Sequence, residues 1–303
     1  STESTFLSAE IDTRSEGVSL AAIQACAAVI KRAAEITADG FANLRFAALA
    51  NPIPSGPFFP SAYHHYQDPS FALAIETAAT AQSAFRDAKS IQEGRANLLT
   101  SLESQGEILT RICEENGRPL GMDFCGIDFS LAPFPSPDCS IARAIENFGI
   151  SRIGMLGSTA AAAILAETLD RGSWKKAGFN GRMFPVLEDS ARAEARKTRS
   201  LTVKDLLLYS TVCGTGLDTV PLPGEASEEQ LNALLLDLGA LAVRLNKPLT
   251  GRLMPIPGKK AGDETDFDFE FFAGSRVMAL DAAPVTHPLA SDLKVAIQPR
   301  NSD

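Results

Sequence analysis

The chain has 303 residues, 45% of them hydrophobic and 21% charged, an ordinary globular composition with room for a large buried core. Its 37 acids outnumber 28 lysines and arginines, and the net charge of −9 argues against a nucleic-acid-binding surface and against docking on anionic membrane. Five cysteines without a CxxC pair argue against a disulfide scaffold or structural zinc and point to a reducing cytoplasm, while three histidines leave little for a His-rich metal site.

The opening STESTFLSAEIDTRSEG carries early acids and no long apolar stretch, which is not the pattern of a secretory signal. Apolar residues at helical spacing then predict a helix over residues 17–36. RFAALANPIPSG (residues 45–56) is the first of four apolar runs that end in Pro-x-Pro. The others are GIDFSLAPFPSP (126–137), GLDTVPLPG (216–224) and GRLMPIPG (251–258). Proline lacks a ladder donor and fixes φ, so each run is expected to end there as a strand. GRMFPVLEDS (181–190) is a fifth such stretch with one proline. Helical spacing recurs over residues 69–88, 92–115, 136–149 and 226–246, and SEEQ at 227–230 has the Ser-x-x-Gln capping-box form. The alanine-rich run at 159–169 is too short to span a bilayer and reads as a buried helix. TVCGT (211–215) reads as a buried strand ending in a tight turn. AGDETDFDFEFF (261–272) alternates polar and apolar residues, as a strand with one wet face does. Strand–helix alternation means an α/β protein, with strands buried between helices or closed as a barrel. No composition break marks a linker, so one domain over 1–303 is expected, with a loose tail after about residue 281.

GIDFSLAPFP (126–135), GFNGRMFPVLED (178–189), VCGTGLDTVPLPG (212–224) and LNKPLTGRLMPIPGKKAGD (245–263) together resemble the domain-of-unknown-function 711 family, also called uncharacterised protein family 0210. PFFPSAYHH (57–65) adds a weaker fifth string. The resemblance implies a pyruvate formate-lyase-like α/β barrel of mixed strands surrounded by helices, with the loop of Cys213 carried into its middle. It also implies a homodimer and an ACT-domain partner protein, but no established reaction. The Arg-Val-Ser-Gly-Tyr type of radical loop is missing near the carboxyl end, so glycyl-radical chemistry is not expected. CGTG stands here where the family more usually has cysteine-serine-valine.

Asp123, Asp128, Glu188, Asp189, Asp218 and Asp263 each end an apolar run or open the following loop, where open sheets and barrels deliver catalytic side chains. Single acids at such places are commonly surface residues or helix caps. Asp128 in GIDFSL and Asp218 in GLDTV stand out, because an aspartate enclosed by apolar neighbours must be paired or coordinated. Glu188 and Asp189 precede a helical pattern that one of them could cap, and because two neighbours on an extended chain face opposite ways, at most one is expected to be chemical. The carboxylates Asp128, Asp218, Glu188 and Asp263 offer a divalent cation such as Mg or Ca the oxygen ligands it takes. Cys213 is either a nucleophile or the lining of a core, and nothing near it in the chain lowers its pKa. Phe58, Phe59, Tyr63, His64 and His65 suit a substrate lid, with His64 as a general base, or a cap over a barrel end. The turn PIPGKKAGD lacks the spacing of a nucleotide loop, and as a plain turn it leaves Lys259 at the surface.

These residues point to a cytoplasmic enzyme (a lyase, isomerase or hydrolase) acting on a small amino-acid-like or carboxylate metabolite. In it Asp128 and Asp218 act as base or metal ligands, Ser130 and Asn180 hydrogen-bond the substrate, and Arg182, Arg252 or Lys259 hold its carboxylate. The alternative is a non-catalytic sensor that binds an amino acid and reports to a partner.

Overall fold

The computed structural model describes residues 5–13, 17–53, 56–62, 67–183, 185–189, 201–212, 214–286, 289 and 293–300. In chain order these form β1 (Leu7–Glu10), β2 (Asp12–Thr13), β3 (Gly17–Ser19), α1 (Leu20–Ala34), β4 (Phe46–Ala50), β5 (Ser70–Ala74), α2 (Ala78–Arg86), α3 (Ile91–Gly117) and β6 (Asp123–Asp128). Then come α4 (Ile141–Glu146), α5 (Ser158–Arg171), α6 (Val203–Val212), β7 (Gly216–Pro223), α7 (Glu228–Arg244), β8 (Leu249–Ile256) and β9 (Lys294–Val295).

The helices start where side chains satisfy their first free N–H groups. Ser19 and Ser90 accept from Ala22 and Glu93 at the starts of α1 and α3, and Ser227 and Gln230 close a complete capping box on α7. α7 buries Leu231, Leu234, Leu235 and Leu238 on one face, and α1 buries Ile23, Cys26, Ala27 and Ile30. Those faces join one apolar cluster that also takes Ile11, Leu98, Phe129, Leu217 and Leu253. Each large apolar side chain there, fully buried, contributes about 1.5–3 kcal/mol.

The α/β class therefore holds, but the described strands form no closed barrel. They make a four-stranded sheet in the order β1-β4-β8-β7, a three-stranded sheet β2-β3-β9 and a parallel pair β5-β6. Single bridges link the larger pieces, Ile127 to Lys176, Leu131 to Arg182 and Pro185 to Asp218. Residues 176–183 and 185–187 thus run between β6 and β7 in the same direction as both.

Several expectations are corrected. Residues 69–88 are not one helix, because β5 occupies the first part and α2 begins at Ala78. Thr211 and Val212 end α6 rather than forming a strand, and β7 begins only at Gly216. β4 and β6 do stop before their prolines, but β7 runs through Pro221 and Pro223, and β8 through Pro255. Prolines two apart withdraw donors from one side of a strand only, which leaves the other side free to pair. The 265–269 stretch keeps its alternation, with Phe267 and Phe269 half-buried and Asp266 and Asp268 exposed, yet forms no strand. Its rings pack against Phe41 instead. Near the carboxyl end, Val295 of β9 pairs with Val18 and the Arg300 N–H donates to the Arg244 carbonyl at 2.9 Å.

Candidate active site

Two polar centres lie on the parallel strands. The first is built on Asp128, the last residue of β6 and 1% exposed. Its Oδ2 accepts from the Phe179 N–H at 2.7 Å, and its Oδ1 accepts from the Asn180 N–H at 3.0 Å and from Ser130 Oγ at 2.5 Å. The GFNG loop makes this possible. Gly178 has φ +66°, and a Cβ there would lie 2.4 Å from Asp128 Oδ2, so only glycine lets the backbone approach. Asn180 follows at φ 45°, its Oδ1 accepting from the Phe129 N–H and the Trp174 indole, its Nδ2 donating to the Ala177 carbonyl. Burial pushes the Asp128 carboxyl above its ordinary pKa, and the three donors work against that rise. Asp128, Ser130 and Asn180 thus satisfy one another and brace the loop against β6.

The second centre is Arg252 on β8, 7% exposed. The register of β7 on β8 jumps from Leu217–Gly251 to Val220–Leu253, so Asp218 and Thr219 together oppose Arg252 in a β-bulge. Thr219 takes φ 42°, a left-handed conformation that costs a β-branched residue on the order of 1–3 kcal/mol. The bulge brings Asp218 Oδ1 to 2.5 Å from Arg252 Nε. On the other side the Val186 N–H donates to the Asp218 carbonyl at 2.9 Å, which delivers Glu188. Glu188 Oε1 then accepts from Arg252 Nη2 at 2.9 Å. The ring of Phe59 lies 5.5 Å from the guanidinium carbon and walls this centre.

Burial pushes the Glu188 carboxyl up to about 8, the negative charges of Asp218 and Glu76 push the same way, and Arg252 only partly offsets them. Burial opposes charge on Arg252 too, but its two carboxylates outweigh that and hold it protonated. Glu76 sits just past β5, where the Ile75 and Thr77 N–H groups extend the ladder to the carbonyls of Asp128 and Ser130. Burial raises its carboxyl as well. Cys139 lies within electrostatic reach of Glu76, and burial, Glu76 and Asp138 all raise its thiol, so it is no ready nucleophile.

The sequence-predicted residues divide accordingly. Asp218, Glu188 and Arg252 come together, with Arg252 bound by the protein's own acids rather than left open for a substrate carboxylate. Arg182 is fully buried and bridged to Leu131. Lys259 pairs with Asp266 at 3.1 Å, and Asp263 accepts from the Lys260 N–H within an exposed turn. Asp189 turns away from its neighbour and accepts from Ser140 Oγ at 2.6 Å and the Ala142 N–H at 3.0 Å at the start of α4. His64, His65, Tyr63 and Cys213 lie outside the described residues. Among the described residues no three His, Cys, Asp or Glu side chains converge as a metal site, and Arg252 occupies the space between Asp218 and Glu188. The four carboxylates expected to share a cation are therefore split among three places. Glu76 escapes a sequence reading because FALAIETAAT reads as helix, which hides a residue at the end of a strand.

Fold and site define an α/β protein with a guanidinium shared by two carboxylates beside a strand bulge. The chain belongs to the family described as uncharacterised ACR (DUF711), whose model matches residues 1–273. It is 31% identical over 280 residues to a UPF0210 protein of Acetivibrio thermocellus, covering 88% of this chain and 61% of the relative. It is 32% identical over 281 residues to a UPF0210 protein of Methanosarcina acetivorans, covering 88% of this chain and 60% of the relative. The chain thus spans about three fifths of the length of these relatives. No helix among the described residues is long and apolar enough to cross a membrane.

Proposed function

We propose that the chain carries the acid–base centre of an enzyme acting on a small amino-acid-like or carboxylate metabolite, with Glu188 as the proton-transferring residue. The observation that carries this reading is the arrangement itself. Glu188 is held at one oxygen by Arg252, Arg252 is fixed by the buried Asp218, and the carboxyl keeps 24% of its side-chain surface exposed. A carboxyl titrating near neutrality is matched to both halves of a proton transfer. The ionised fraction of Glu188 takes a carbon-bound proton onto the oxygen that Arg252 does not hold. The neutral acid so formed returns a proton, exchanged with solvent, to the same or a neighbouring carbon of the substrate carbanion. The guanidinium stabilises the carboxylate before abstraction and after reprotonation of carbon, which suits an isomerase or a lyase.

Isotope exchange at carbon tests this whatever the final product. The whole chain is incubated in D2O with pooled α-amino acids and short-chain carboxylic acids, and deuterium entry at carbon is followed by NMR. Wild type is expected to exchange a carbon-bound proton, and Glu188→Gln to lose on the order of 10²-fold or more of that rate. Exchange that survives in Glu188→Gln removes Glu188 from the chemistry. A compound that binds wild type without any exchange supports the sensor reading instead.

A further inference from the structure

A groove of about 320 Å³ opens between α6 and α7, beneath residues 279–285, and shares no residue with the Arg252 centre. Val203 and Leu207 of α6, Leu234 and Leu236 of α7, and Leu280 and Val285 form its walls. That volume is at the lower end of small-molecule sites, and it suits one compact ligand rather than a helix. Its polar residues are unevenly balanced. Lys204 Nζ is engaged with Asp281 Oδ2 at 2.9 Å. Asp237 lines the same groove as an exposed side chain that feels the Lys204 charge but makes no hydrogen bond or ion pair among the described residues. Two carboxylates therefore share one ammonium, and partial burial raises the Asp237 carboxyl more than Lys204 lowers it. A ligand with a positive head restores the balance, whereas one with a carboxylate head adds to the excess.

We propose that this groove is a second ligand site that takes a small molecule with an apolar body and a protonated amine head. The body lies along Leu207, Leu234 and Val285, and the ammonium meets Asp237. Because α6 runs on toward β7, which carries Asp218, an occupant also rests on the helix that leads into the first site.

The test uses n-hexylamine, hexanoate and 1-hexanol as probes on the full chain at pH 7, read by methyl NMR of labelled leucine and valine. Hexylamine is expected to shift Leu207, Leu234 and Val285 and to bind at least tenfold tighter than hexanoate. Asp237→Asn is expected to weaken hexylamine at least tenfold and leave hexanol unchanged, and Ala233→Trp to fill the groove and block all three. Glu188→Gln is expected to bind the probes as wild type does, so the result stands apart from the fate of the acid–base proposal. Equal binding of the three probes overturns the inference. So does a silent groove, including one covered by a second copy that light scattering detects.

Discussion

Replacing Arg252 with methionine keeps much of the aliphatic stem and removes the guanidinium, which leaves Asp218 (1% exposed) and Glu188 facing each other without a cation. Hydrogen bonds to charged groups contribute about 1.5–3 kcal/mol each, and Arg252 makes one to each carboxylate. Breaking a buried pair by removing one partner costs about 3–5 kcal/mol, and the two figures describe the same loss rather than adding. A loss of about 3–5 kcal/mol is a large share of the roughly 5–15 kcal/mol by which domains are stable. Urea unfolding followed by circular dichroism measures it, at pH 5.5 and at pH 8. The loss is expected to be smaller at pH 5.5, where the raised Glu188 carboxyl is protonated with or without Arg252, than at pH 8. Adding Asp218→Asn to Arg252→Met removes the stranded charge and is expected to recover part of the stability. A loss below about 1 kcal/mol, or a double variant no more stable than the single one, refutes the idea that Arg252 neutralises a buried pair.

Glu188→Gln mimics the protonated side chain. Between the ordinary 4.5 and the folded value of about 8, the folded state holds a proton that the unfolded state has released, so wild-type stability falls as pH rises through that window and then levels. The variant lacks this slope, and its stability relative to wild type is expected to climb by up to about 1.4 kcal/mol per pH unit across the window. Thermal melts from pH 4.5 to 9 check it, and parallel curves count against the raised carboxyl. Gly178→Ala forces a Cβ toward Asp128 Oδ2 at a φ of +66°, so a loss of at least about 1–3 kcal/mol is expected by urea unfolding. A wild-type-like Gly178→Ala contradicts the bracing role of the GFNG loop.

Much of this architecture is legible where local chemistry decides it. Ser227 and Gln230 announce α7, and apolar flanks mark Asp128 and Asp218 as buried. What escapes the sequence is what distance along the chain conceals. Arg252 finds its acids 34 and 64 residues away, so a side chain that looks ready for a substrate is already occupied. Ser130 and Asn180 have the chemistry of substrate contacts, yet Asp128 and its neighbours use them. The bulge that aims Asp218 needs a left-handed threonine, which nothing in GLDTV signals. In the 265–269 stretch, alternation reports burial alone, because rings against Phe41 impose the same period as a sheet face.

Glu188 is the centre of the proposed chemistry, and titrating its carboxyl carbon by NMR with 13C-labelled glutamate tests that role most directly, the resonance being assigned through Glu188→Gln. A midpoint near 8, moving down in Glu76→Gln, is the predicted result. A midpoint at the ordinary glutamate value of 4.5, indifferent to Glu76, contradicts it.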